Sequence, residues 1–150
     1  MKIEWLGWAS WLIKTGNKVI YIDPFKGEVK EKADLVLVSH GHPDHYSKEQ
    51  LEKIRQDFTV VLTPSSYAQE MNAEVLDINQ EKEIRGIKVK GVESYNLEIP
   101  NHPKGTNTGY VIEVEGKRIY FAGDTDLIPE MKELGNIDLA LLPIGGTYTM

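Results

Sequence analysis

The run Asp34-Leu35-Val36-Leu37-Val38 leads without a break into Ser39-His40-Gly41-His42-Pro43-Asp44-His45, a string that carries three of the chain's four histidines. The apolar, β-branched run predicts a strand buried on both faces. The polar string therefore falls in the loop at the carboxyl end of a core strand, where open α/β sheets place their ligand crevices. With Gly41 between them, His40 and His42 project to one side of an extended backbone. Pro43 then turns the chain, so Asp44 and His45 face a neighbouring point, and one loop can offer a pair of ligands to each of two adjacent cations. A turn by itself asks for glycine and proline but not for this density of imidazole and carboxylate. Those side chains suit zinc, iron or manganese. His40 alone would read as an ordinary surface or core residue; the whole H-x-H-x-D-H string reads as a metal motif.

Composition narrows the alternatives. A chain of 150 residues suits one domain with a sizeable core. It has no cysteine, which removes disulfides and thiolate ligands and sends any tight metal site to histidine and carboxylate. Net charge of -6 argues against a broad electrostatic footprint for nucleic acid. No apolar stretch approaches membrane-spanning length, and MKIEWLGW lacks the basic and apolar regions of a signal peptide, so the expectation is a cytoplasmic protein with no membrane partner.

Strands are predicted over 2–6, 10–14 and 18–22, the last two joined through Thr15-Gly16-Asn17. Ser47-Lys48-Glu49-Gln50 has the form of a capping box, and Leu51, Ile54 and Phe58 follow at helical spacing. Residues 59–63 read as a buried strand ended by Pro64, with Ser65 or Ser66 capping a short helix through Met71. The pattern Ile84, Ile87, Val89, Val92 predicts one half-exposed strand over 83–95 with a glycine break. Residues 109–114 and 117–122 flank Glu115-Gly116 as a hairpin, 128–134 as a short helix, and 138–142 as a last buried strand. Strands first, then strands mixed with helices, imply a layered α/β protein with mixed sheets.

Five segments together resemble the metallo-β-lactamase superfamily of metallohydrolases: Trp5-Leu6-Gly7-Trp8-Ala9-Ser10, Asp23-Pro24, the histidine string, Gly123-Asp124-Thr125, and Leu142-Pro143-Ile144-Gly145-Gly146. Within it they are similar to the ascorbate-6-phosphate-lactonase-like branch. The resemblance implies an αββα sandwich with mixed sheets, formed by residues 1–150 as a single domain whose C-terminal part is missing. It assigns one metal to His40, His42 and a histidine from a later loop, the role that His102 fills here, with Asp124 bridging to a second metal held by Asp44 and His45. Relatives give that second metal one more histidine, which this sequence does not contain, so the second site is expected to be incomplete.

Two divalent ions are implied, zinc first and manganese or iron as alternatives. On the same resemblance a metal-held hydroxide would attack a small-molecule substrate, an ester, lactone or phosphoester, with Asp44 orienting the nucleophile and taking its proton. His42 stands where diiron redox relatives carry glutamate, which favours hydrolysis. The competing expectation is a metal-binding but catalytically weak fragment that serves in binding or assembly, with a homo-oligomer as one form of it.

Asp23 resembles the aspartate that steadies the histidine loop in this superfamily, a role that suits a ligating imidazole's need for a partner on its other nitrogen; a strand-end aspartate before proline is the equal alternative. Trp5, Trp8 and Trp11 are expected in the core or in an active-site wall, and Tyr95, Asn96 and Tyr148 are candidates to line a pocket.

Overall fold

The computed structural model describes residues 1–150 as two compact units, Met1–Val75 and Leu76–Met150. The first is a mixed six-stranded sheet in the order β1-β2-β3-β4-β5-β6, built from β1 (Lys2–Gly7), β2 (Ser10–Thr15), β3 (Lys18–Ile22), β4 (Leu35–Leu37), β5 (Val60–Thr63) and β6 (Glu74–Val75). The first three pair antiparallel and the rest parallel. Parallel neighbours need crossovers, and α1 (Lys48–Ile54) and α2 (Ser65–Met71) lie in two of them. Leu12, Tyr21, Val36, Val38 and Val61 pack with Leu51 and Ile54 of α1 and Met71 of α2 in one buried cluster. The alternate residues Ile13, Ile20, Ile22, Leu35, Leu37 and Leu62 are also fully withdrawn from solvent. Burial on both faces is why the approach to the histidine string reads as an unbroken apolar run.

Ser47 caps α1 as expected, accepting from the Gln50 N–H at 3.3 Å. The helix nevertheless stops at Ile54 and leaves Phe58 outside it, 46% exposed. Arg55 turns extended, and Gln56 and Thr59 exchange bonds: the Gln56 N–H donates to Thr59 Oγ1 and the Thr59 N–H to the Gln56 carbonyl. That local closure outweighs one more apolar residue at helical spacing. In α2 neither Ser65 nor Ser66 is the cap; Pro64 holds that position with no side-chain bond, and Asn72, left-handed at φ 47°, ends the helix.

The second unit is a five-stranded sheet in the order β11-β10-β9-β8-β7, from β7 (Glu81–Ile84), β8 (Ile87–Ser94), β9 (Asn107–Val114), β10 (Lys117–Phe121) and β11 (Leu139–Leu141). Only β10 and β11 run parallel. The single strand expected over 83–95 is a hairpin, because Arg85 and Gly86 both sit at positive φ (51° and 76°) and reverse the chain. Glu115-Gly116 makes the same turn at φ 51° and 72°, the conformation that matches strand twist in two-residue hairpins.

The expected helix over 128–134 is a 3₁₀ turn, Pro129–Glu133, whose bonds run Met131 N–H to Ile128 and Leu134 N–H to Met131. β11 is an edge strand rather than a buried one, with only Leu141 of its three residues covered. Val92, Val111, Tyr120 and Ala122 form this unit's buried cluster, against Met131, Leu134 and Ile137. No helix in the structure is long and apolar enough to cross a membrane.

Candidate metal centre

In the first unit the site begins at a strained residue. Asp23 follows β3 at φ 44°, a region that a non-glycine residue enters at a cost of order 1 kcal/mol or more unless its surroundings fix it. They do: its N–H donates to the Leu37 carbonyl at 2.9 Å, and its own carbonyl accepts from Ser10 Oγ at 2.6 Å. The conformation swings the Asp23 carboxylate beneath the loop leaving β4, where it is wholly buried. Burial pushes its pKa up, opposed by the His45 imidazole and the bonds from Ser39.

The carboxylate dictates which way the protons in this loop point. Its Oδ1 accepts from the Ser39 N–H at 2.7 Å, and its Oδ2 from Ser39 Oγ at 2.7 Å and from His45 Nδ1 at 2.6 Å. Because Ser39 spends its proton on Asp23, its oxygen accepts from His40 Nδ1 at 2.9 Å. Both histidines thus carry their proton on Nδ1 and present the Nε2 lone pair, the form in which imidazole binds a metal.

The rings gather accordingly. His40 lies 4.5 Å from His42 and 4.1 Å from His45 between centroids, and it offers a ring nitrogen within 4.8 Å of one on each. His40 and His45 are buried and His42 is exposed. His45 and Tyr46 both donate their N–H to the His42 carbonyl, closing a turn that contains the half-buried Asp44.

The second unit holds a donor set of its own. His102 is buried at 3% exposure, in the loop between β8 and β9. Asn96 Oδ1 accepts from both the His102 N–H, at 3.1 Å, and Nδ1, at 2.8 Å, while the Asn96 N–H returns a bond to the His102 carbonyl. Asn96 is itself oriented by its Nδ2, which donates to Asp126 Oδ1 and the Tyr148 carbonyl. The Nδ1 proton once more leaves Nε2 as the lone-pair nitrogen, and it faces Asp124 Oδ2 at 3.4 Å. An imidazole nitrogen and a carboxylate oxygen converging at this distance form a donor pair of the kind that a divalent ion takes up.

Every metal-ligand candidate singled out in sequence is accounted for. His40, His42 and His45 come together, His102 and Asp124 come together, and Asp44 lies in the turn before His45. Asp23 is the buried partner of the loop and not a mere strand-end residue. The tryptophans are not core: Trp5 and Trp8 are 62% and 60% exposed and Trp11 half-buried. Trp8 is held at φ 53°, edge-on to Phe25 and under the Lys26 ammonium. Asn96 and Tyr95 do not simply line a pocket, since Asn96 orients His102 and Tyr95 donates to Glu130. Sequence reasoning missed the relay through Ser39 and the anchoring by Ser10, because a lone serine beside a motif carries no signal of its own.

The chain as a whole is similar to known proteins. A model of the beta-lactamase superfamily domain matches residues 2–150. A UPF0173 metal-dependent hydrolase of Pelotomaculum thermopropionicum is 37% identical over 171 residues, covering 100% of this chain and 75% of that protein. One from Methanoregula boonei is 38% identical over 161 residues, covering 100% and 72%. Among solved structures, a protein from Parabacteroides distasonis named as a metal-dependent hydrolase superposes with a TM-score of 0.93 at 30% identity, covering 99% of this chain and 71% of that one. The metallo hydrolase Igni18 of Ignicoccus hospitalis gives 0.78 at 26% identity, covering 99% and 72%. The fold is the α/β metallo-β-lactamase fold with mixed sheets, and the chain belongs to the metallo-β-lactamase superfamily of metal-dependent hydrolases.

Proposed function

We propose that the two donor sets serve one centre within a single domain. His40, His42, His102 and Asp124 would hold one divalent ion, and Asp44, His45 and the shared Asp124 a second. The substrate on this reading is an ester, lactone or phosphoester of small size, in keeping with the lactonase-like resemblance of the sequence. Zinc is the first candidate for the ions and manganese or iron the next, since the donors are imidazole and carboxylate alone. The observation that carries the reading is the proton bookkeeping: Asp23, Ser39 and Asn96 fix His40, His45 and His102 as Nε2 donors.

Divalent ions in such a site acidify water and polarise a carbonyl or phosphoryl oxygen. The chain's own part is to fix their ligands and handle the proton. Asp44, in the turn closed on the His42 carbonyl, is the residue to orient the attacking water and accept its proton. Asp23 is spent on Ser39 and His45 and is a positioning residue. Four histidines give the second ion fewer imidazoles than the first, so it is held more weakly.

The test is hydrolysis of a panel of lactones, carboxylic esters and phosphodiesters with added zinc or manganese. Metal-dependent turnover lost in Asp44→Asn, with folding and first-ion binding kept, supports the reading. Tight metal binding with no turnover on any member would favour the binding or assembly role instead.

A further inference from the structure

Gly41, between the two histidines of the motif, is glycine for a reason outside the motif. It does not adopt a left-handed conformation, so its backbone would accept an L side chain. Yet a Cβ placed on it would stand 2.6 Å from both Cδ1 and Cε1 of Tyr67, closer than carbon atoms approach without displacement. The flat ring of Tyr67 therefore lies directly against the backbone that joins His40 to His42. Tyr67 belongs to α2 and, half-buried, packs against the buried cluster that includes Leu51, Ile54 and Met71, so moving the ring aside gives up that packing.

The two imidazoles on either side of Gly41 are held unequally. His40 is buried and bonded to Ser39. His42 is exposed, and its ring meets His40 edge-on at 4.5 Å and 74°. The separation of the two donor nitrogens depends on the backbone path through Gly41, and the surface against which that path is laid is the Tyr67 ring.

We infer that Tyr67 is a positioning residue for the metal: its ring sets the bite of the His40–His42 pair, and Gly41 is required because the ring leaves no room for a side chain. The inference rests on the metal reading above. It makes the affinity of the histidine loop depend on α2, an element that supplies no ligand.

The test is a double-mutant cycle read by zinc affinity in chelator competition and by the visible spectrum of the cobalt-substituted protein, which reports ligand geometry. Wild type is titrated first; failure of wild type to bind overturns the metal reading and with it this inference. Tyr67→Phe, which keeps the ring, should bind zinc as wild type does, whereas Tyr67→Leu and Gly41→Ala should each weaken it about tenfold, the scale of losing a ligand's support. In the Tyr67→Leu background Gly41→Ala should cost less than it does alone, because the clash has been removed. Zinc affinity and cobalt spectrum unchanged in folded Tyr67→Leu would overturn the inference, as would a Gly41→Ala penalty equal in both backgrounds. Should Tyr67→Leu not fold, Gly41→Ala at wild-type affinity and spectrum is the overturning result, and its loss of both with folding kept the supporting one.

Discussion

Asp23→Asn isolates the role of one charge. Asparagine is among the residues that best tolerate left-handed φ, so the conformation at 44° survives the change and side-chain volume is nearly conserved. What changes is the donor pattern. Aspartate accepts three bonds, from the Ser39 N–H, Ser39 Oγ and His45 Nδ1. If the amide oxygen stays opposite the Ser39 N–H, the amide nitrogen faces the other two groups as a donor. Ser39 Oγ must then accept, and its proton turns toward His40 Nδ1, while His45 Nδ1 must lose its proton. Both imidazoles are forced to the tautomer protonated on Nε2, which has no lone pair there for a metal.

One or two charge-assisted bonds are lost or exchanged for neutral ones in a fully buried position, a cost of about 1–3 kcal/mol to stability. Metal affinity should fall at least 10–100-fold, as when a ligating histidine loses its partner. Urea unfolding in chelator gives the first quantity, and zinc competition on the folded variant the second. Folded Asp23→Asn protein binding zinc within twofold of wild type would refute the tautomer argument.

In the second unit, His102→Ala and Asn96→Ala should each weaken zinc binding by about tenfold or more, whereas Lys104→Ala, two residues from His102 and paired with Glu130 at the surface, should leave chelator competition and the denaturant midpoint unchanged. Tyr120 is buried with no hydrogen-bond partner for its hydroxyl, so Tyr120→Phe should be neutral or stabilising by about 1 kcal/mol in denaturant unfolding. Burial also pushes the Tyr120 phenol up to about 12. The unfolded chain therefore loses its proton first, near pH 10, and stability from this group falls between about pH 10 and 12, by about 2–3 kcal/mol in all; wild type should lose that much more than Tyr120→Phe across the window, and parallel pH profiles would contradict the assignment.

Much of the centre was legible because its ligands form a local string. His40, His42, Asp44 and His45 announce themselves by density, and β4 before them by its unbroken apolar run. What supports them was less legible: Asp23 was marked by the family resemblance alone, while Ser39, Ser10 and Asn96 act through hydrogen bonds to residues that are not their neighbours in sequence, and a single Ser or Asn has no periodicity. The misread elements share a cause as well. Phe58 in a longer α1 and the single strand over 83–95 were each read from apolar spacing, and each was decided by a short-range backbone event that spacing does not report. The two-residue β6 is too short to leave any pattern. Of the two places expected for the tryptophans, the core is excluded for Trp5 and Trp8, which stand in solvent on either side of the turn at Gly7.

The central claim is that ligands from both halves of the sequence serve the same ions. Zinc titration of the folded protein in chelator competition, with His40→Ala and Asp124→Ala measured beside wild type, tests it most directly. The account predicts one tightly held zinc per chain, a second held more weakly, and loss of the tight site in each variant. Wild-type zinc affinity in Asp124→Ala, with the tight site abolished only by His40→Ala, would show that the histidine string binds metal alone and would contradict it.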